Sequence, residues 1–132
     1  MKGYLTAPVP AEGERLERLK AALPKLLEQA GPTGVQADQV IVSLPGTTLA
    51  THPIALPFSD QKKIESTLAF EVESQLPYDL DEAIFDHQIG STDDKGAQLL
   101  VGVARTAELA PILSLLKDVK LDPSIVTHDG LV

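Results

Sequence analysis

Residues 64–89 read IESTLAFEVESQLPYDLDEAIFDHQI, and the pattern changes from helix to strand around one proline. The first half carries apolar residues at every fourth position: Ile64, Leu68, Val72 and Leu76. This spacing predicts a helix with one buried stripe. Pro77 is expected to end the helix at Leu76, because the residue before a proline is disfavoured in the α region. The segment 83–89 that follows, AIFDHQI, predicts a strand.

Patterns on both sides of this stretch predict further helices and strands. A helix over 12–29 carries leucines at helical spacing, and Pro24 is expected to kink or divide it. Ser59 is the expected N-cap of the central helix just described. In the strand 48–56, Pro53 withholds a hydrogen-bond donor and therefore predicts an edge strand or a bulged one.

The remaining elements complete the order of the fold. They are a short, buried-looking strand at 40–44, a hairpin with strands at 83–89 and 98–104 around the turn 91–96, a helix with apolar residues Leu109, Ile112, Leu113 and Leu116, and a last strand from Ile125. From residue 48 the order is β-α-β-β-α-β. It predicts an α/β (α+β) fold with a mixed sheet and flanking helices, and a ferredoxin-like split unit has the same order.

Composition excludes several classes of site and partner. The 132 residues include no cysteine, so disulfides, iron–sulfur clusters and thiol nucleophiles are excluded. No uninterrupted apolar run approaches the roughly 18 residues that a membrane span needs. The net charge of −8 lies within residues 41–132, which hold six basic and fourteen acidic residues. This balance disfavours nucleic acid and anionic lipid, and favours a basic segment of another protein.

Four carboxylates follow Pro77 closely: Asp79, Asp81, Glu82 and Asp86. They lack the central glycine and the alternating ligands of a calcium loop, and the three histidines are too isolated for a zinc site. We interpret Asp79 or Asp81 as a cap of the turn, with the other carboxylates in water, because aspartate is common in turns. An acid–base pair here stays open, since the separation of carboxylates in space decides that chemistry.

The sequence contains no motif for nucleophilic catalysis or for nucleotide binding. Ser43 lies in SLPG, which is not the G-x-S-x-G nucleophile elbow. The glycine patterns of the phosphate loop and of the dinucleotide-binding turn are also absent. We therefore assign no catalytic, metal-binding or cofactor-binding residue.

Phe70 is the apolar residue that the fold pattern does not explain. A helical wheel places it with Lys63, Ser66 and Ser74, away from the apolar stripe of the same helix. The chain has only three phenylalanines, and the position of this one on a polar helix face predicts a second packing surface. Either another lobe of the same protein or a partner would cover it.

Several short pieces of the chain resemble one protein family. They are LPG after a strand at 44–46, LPF before a helix at 56–58, E-x-E at 71–73, LPY at 76–78, DLDEA at 79–83, and the return segment LDPSIV at 121–126. This series, over roughly residues 40–130, resembles the actin-like cytoplasmic proteins of type IV pilus and type II secretion machines. Those proteins are PilM and the L-type platform protein, GspL.

The resemblance implies a fragment of an actin-like (ribonuclease H-like) fold. Residues 1–47 would supply a helix and a strand of the main lobe, and 48–106 would form its strand-helix-strand-strand subdomain. Residues 107–132 would return to the main lobe. The chain stops at IVTHDGLV, where that return strand would lead onward, so we expect a piece of a longer protein.

The resemblance also implies a non-enzymatic interaction scaffold at the cytoplasmic face of a bacterial inner membrane. The partners would be an assembly ATPase and a bitopic inner-membrane platform protein, and membrane contact would be indirect. A homodimer stays open. Around Phe70, the expected partner-binding residues are Phe70, Glu71, Glu73, Pro77 and Tyr78.

The first phosphate loop and the later phosphate and adenosine loops of actin-like ATP sites do not occur in this chain. We therefore expect no bound cofactor here, and ATP only in a longer parent protein. Two alternatives to the scaffold stay open. One is a free-standing ferredoxin-like interaction module, and the other is a small α/β ligand-binding domain or enzyme that uses the acidic turn.

Overall fold

The elements follow the order that the sequence predicts, and a computed structural model describes them for residues 4–130. They are α1 (Arg15–Glu28), β1 (Ile41–Leu44), β2 (Ala50–Leu56), α2 (Gln61–Glu73), a 3-10 turn (Leu80–Glu82), β3 (Ala83–Asp93), β4 (Gly96–Arg105), α3 (Thr106–Asp118) and β5 (Ile125–His128). Within the described residues, every helix is too short or too polar to cross a lipid bilayer.

The described residues divide into two compact units. One unit comprises the described part of 1–41 together with 111–125. The other comprises 42–110 together with the described part of 126–132, and it contains the helix and hairpin from which the sequence analysis began.

The second unit is built on a three-stranded antiparallel sheet in the order β2-β4-β3. The central strand, β4, carries a nearly continuous apolar sequence, because both of its neighbours and the helix α2 shield it from water. One buried cluster joins the three elements: Ile54 and Leu56 of β2, Ile64, Leu68 and Val72 of α2, and Ala97, Leu99, Val101 and Val103 of β4. The predicted apolar stripe of α2 is therefore the stripe that closes the core.

The ends of α2 differ slightly from the prediction. Asp60, not Ser59, is the N-cap, and its side chain accepts a hydrogen bond from the N–H of Lys63 at 3.0 Å. The helix ends at Glu73 rather than Leu76. The N–H of Leu76 donates to the carbonyl of Glu73, a tighter turn than the α-helix makes, and Leu76 still packs against the core.

The hairpin turn is shorter than predicted, because β3 and β4 continue as far as Asp93 and Gly96. The carboxylate of Asp93 accepts the N–H of Lys95 at 2.8 Å and that of Gly96 at 3.1 Å. Gly96 has φ of +143°, and a Cβ atom there would lie 1.9 Å from the carbonyl oxygen of Leu56. Only glycine fits this approach of the hairpin to β2.

Both outer strands of this sheet carry a feature that limits further pairing. Pro53 lies in β2, an outer strand, as the sequence predicts. On β3, the other outer strand, the N–H of His87 donates to its neighbour Asp86 at 2.8 Å from nitrogen to Oδ1. The side chain of Asp86 thus satisfies a main-chain donor of an outer strand and adds a charge there.

The first unit contains α1, which Pro24 does not divide: the helix runs without a break from Arg15 to Glu28. Pro24 lacks a main-chain N–H, and the helix tolerates this one missing donor because the turns on both sides remain helical. Gly31, with φ of +78°, follows the end of the helix.

The strands β1 and β5 form a separate pair. The N–H of Ser124 donates to the carbonyl of Val40 and that of Asp129 to the carbonyl of Leu44, each at 3.0 Å, so the strands run in the same direction. The predicted burial of β1 holds only for Leu44, since Ile41 is exposed.

We expect Gly96→Ala to lower the free energy of unfolding by about 2 kcal/mol or more, because the methyl group meets the main chain of Leu56 and the φ angle is strained. Urea denaturation measures the change. Gly102→Ala, in the same strand with no atom within 4 Å of its Cβ position, is the control and should change stability by less than about 1 kcal/mol. Equal transition midpoints for the two variants would contradict this assignment.

We expect Asp86→Ala to make the protein self-associate through β3, because the change frees a main-chain N–H on an outer strand. Light scattering across a range of protein concentrations measures the mass. Asp86→Asn keeps an oxygen acceptor, so its mass should match that of the unchanged protein. If Asp86→Ala keeps the same mass at every concentration, Asp86 does not protect this strand.

Candidate interaction surface

Phe70 projects from α2 into solvent, and 73% of the residue is exposed. The residues one turn before and after it, Ser66 and Ser74, are small, and each turns its hydroxyl back to the main chain. The hydroxyl of Ser66 donates to the carbonyl of Lys63 at 3.0 Å, and the hydroxyl of Ser74 donates to the carbonyl of Glu71 at 2.8 Å. These serines therefore leave the aromatic ring uncovered, as the helical wheel predicts.

The two glutamates assigned to the same surface occupy different sides of α2. Glu73 is exposed and lies three residues after Phe70, which puts both on one side of the helix. Glu71 is half-buried and lies about 100° away on the wheel, beside the apolar stripe. The structure thus brings Phe70 and Glu73 together and sets Glu71 apart from them.

Tyr78 has a partner within the chain that sequence reasoning missed. The guanidinium of Arg105 lies 4.0 Å from the centre of the Tyr78 ring, an attractive cation–π contact. Tyr78 is half-buried, while the preceding Pro77 is exposed. The hairpin register explains the contact, because Arg105 pairs with Ala83 at the start of β3, soon after Tyr78 in the chain.

The carboxylates of the acidic turn are exposed. Asp79 occupies the N-cap position of the 3-10 turn, and its main-chain carbonyl accepts the N–H of Glu82 at 3.0 Å. Its side chain makes no capping hydrogen bond, so the predicted side-chain cap by Asp79 is not formed. The hydrogen bond that closes the turn is instead made by its main chain, and the carboxylates are exposed to water.

An open depression lies between the end of α2 and the acidic turn. Glu73, Asp79, Leu80 and Asp81 line it, and its volume is about 590 Å³. Leu80 is half-buried and contacts the core, whereas the three carboxylates are exposed. Across residues 4–130, no group of three or more histidine, aspartate or glutamate side chains is arranged to hold a metal ion.

No protein-family model and no curated protein sequence matches this chain. Solved structures do match. The PilM–PilN type IV pilus biogenesis complex matches with a TM-score of 0.66 and 20% identity, over 87% of this chain and 33% of that chain. The cytoplasmic domain of EpsL, an inner-membrane component of the type II secretion system of Vibrio cholerae, matches with a TM-score of 0.58 and 21% identity, over 85% and 42%.

The chain therefore spans only 33% and 42% of the lengths of these two structural relatives. The two matched structures are of the two kinds of protein that the sequence resembles, and the predicted α/β fold with flanking helices, similar to that of the actin-like PilM and EpsL cytoplasmic domains, is confirmed. The chain is a structural relative of PilM and of the cytoplasmic domain of the L-type secretion protein.

Proposed function

We propose that this chain is a non-enzymatic interaction scaffold within the inner-membrane assembly platform of a type II secretion or type IV pilus machine. Two observations on its relatives support the proposal. One relative is part of a complex with a second protein, and the other is the cytoplasmic domain of an inner-membrane component. The chain would act at the cytoplasmic face of the bacterial inner membrane.

The observation that carries the proposal is the exposure of Phe70. The core of its unit is closed without this ring, because Ile64, Leu68 and Val72 already bury the other side of α2. A large aromatic side chain in water offers apolar area that a partner can bury, and aromatic residues are frequent at the centres of protein interfaces. Phe70, with Glu73 and Pro77 nearby in the chain, is the docking surface that we propose.

The proposed partners are a bitopic inner-membrane platform protein and an assembly ATPase. The charge of the chain suits a basic segment of either partner, because residues 41–132 carry the whole net charge of −8. Tyr78 and Glu71 are the other two residues that we expect to bind a partner. The ring of Tyr78 already contacts Arg105 and Glu71 is half-buried, so both would lie at the margin of the docking surface.

A second candidate function is a ligand-binding domain or small enzyme built on the acidic turn. The open depression lined by Glu73, Asp79 and Asp81 is the observation that favours it. The depression is open to solvent and its carboxylates are exposed, so it would enclose little of a bound ligand, whereas ligand sites usually bury most of the ligand surface. The scaffold is therefore our first proposal, with no cofactor in this chain and ATP left to a longer parent protein.

We expect Phe70→Ala to change the free energy of unfolding by less than about 1 kcal/mol, since the side chain is exposed. A buried phenylalanine would cost about 3–5 kcal/mol. The same variant should lose co-purification with the platform protein or the ATPase of its own organism. Val35→Ala, an exposed apolar residue elsewhere in the chain, should retain it. Co-purification equal to that of the unchanged protein with both partners would refute the docking surface.

We expect calorimetric titration of the chain with ATP and magnesium to show no binding, because the sequence contains no glycine-rich phosphate-loop motif, whose main-chain N–H groups would bind a phosphate. The parent protein, if it supplies the missing phosphate loop, is the positive control. A dissociation constant in the low micromolar range for the present chain would contradict the expectation and favour the second candidate function.

A further inference from the structure

The outward side of α2 is an unpartnered helix face that continues into the acidic depression. Phe70 is exposed on this face, and Glu73 lies one turn further along the same side. Glu73 also lines the depression together with Asp79, Leu80 and Asp81. Glu73 thus links an apolar contact point to a group of three carboxylates.

Among the described residues, no basic side chain pairs with these carboxylates. Within residues 4–130, Glu73, Asp79 and Asp81 form no ion pair within 4 Å. Arg105, the basic residue of the adjoining strand end, lies over the ring of Tyr78. Lys63 precedes Glu73 by ten residues on α2, a separation of about 15 Å along the helix axis. The charge of the depression is therefore available to a cation from outside the chain.

The shape and lining of the depression favour a long basic side chain. It is open to solvent, and its apolar part is Leu80, which can contact the methylene stem of a lysine or arginine while the charged head reaches the carboxylates. A metal ion is the weaker fit, because no three of the described acidic or histidine side chains converge on one point. An apolar residue beside the basic one would pack on Phe70.

We infer that Phe70 and the acidic depression together bind a partner segment in which lysine or arginine alternates with apolar residues. This inference rests on the proposed function and adds the chemistry of the partner. The apolar residue contacts Phe70, and the basic residue enters between Glu73 and the two aspartates. Electrostatic attraction speeds association and fixes the register of the segment, while the aromatic contact lengthens its residence.

The test uses the full chain and a defined probe, the fluorescein-labelled peptide Leu-Arg-Leu-Arg-Leu-Arg, with Leu-Glu-Leu-Glu-Leu-Glu as the negative probe. Fluorescence anisotropy gives the affinity at about 50 and about 300 mM NaCl, where screening of exposed charges differs strongly. We expect the basic peptide to bind and to lose affinity at the higher salt concentration. The acidic peptide should not bind.

Matched variants separate this site from the general charge of the protein. We expect the triple change Glu73→Gln, Asp79→Asn and Asp81→Asn to lower the affinity for the basic peptide about tenfold. Phe70→Ala should lower this affinity as well. The control removes three exposed carboxylates elsewhere, Asp94→Asn, Asp118→Asn and Asp122→Asn, and should change the affinity less than about twofold.

Two results would overturn the inference. Equal weakening by the two triple variants means that the peptide responds to net charge alone. No binding of the basic peptide at either salt concentration also rejects the site. If Phe70→Ala abolishes co-purification with the natural partner and the carboxylate variant retains it, the proposed function stands and only the chemistry assigned to the partner is wrong. If neither variant affects co-purification, both proposals fail.

Discussion

The packing of α2 against β4 is the contact on which the second unit depends. Three aliphatic side chains of the helix and four residues of the strand share one buried cluster, and Ile64 and Val101 within it are fully buried. Each fully buried aliphatic side chain of this size contributes roughly 1.5–3 kcal/mol to stability. Since the sheet has only three strands, most of its buried side chains lie in this cluster, and the orientation of α2 follows from this contact.

That orientation also determines which residues remain outside the core. With Ile64, Leu68 and Val72 turned inward, the opposite side of α2 must face away from the sheet, and Phe70 lies on that side. The end of the same helix brings Glu73 to the acidic turn. The exposure of the proposed interaction surface is therefore a geometric consequence of how the helix packs, and Phe70 does not have to stabilise the fold.

The periodicity of apolar residues was sufficient to predict the order of elements, the stripe on α2 and the exposure of Phe70, and the missing N–H of Pro53 was sufficient to predict that β2 is an outer strand. Those features depend on the local sequence. The contact between Arg105 and Tyr78 could not be predicted, because it depends on the register of β3 with β4. The end of α2 was misplaced because Pro77 sets only a limit that the helix cannot pass. The α-helix ends earlier, at Glu73, and Leu76 keeps its apolar contact after that end.

The contact between Arg105 and Tyr78 attaches the turn after α2 to the end of the central hairpin strand. A turn held in this way loses part of its conformational freedom when the protein folds, before any partner arrives. A binding event at the adjoining depression then has less disorder to remove, and more of its contact energy appears as affinity. The stacked pair thus makes the acidic turn a pre-organised element, even though its carboxylates are exposed to water.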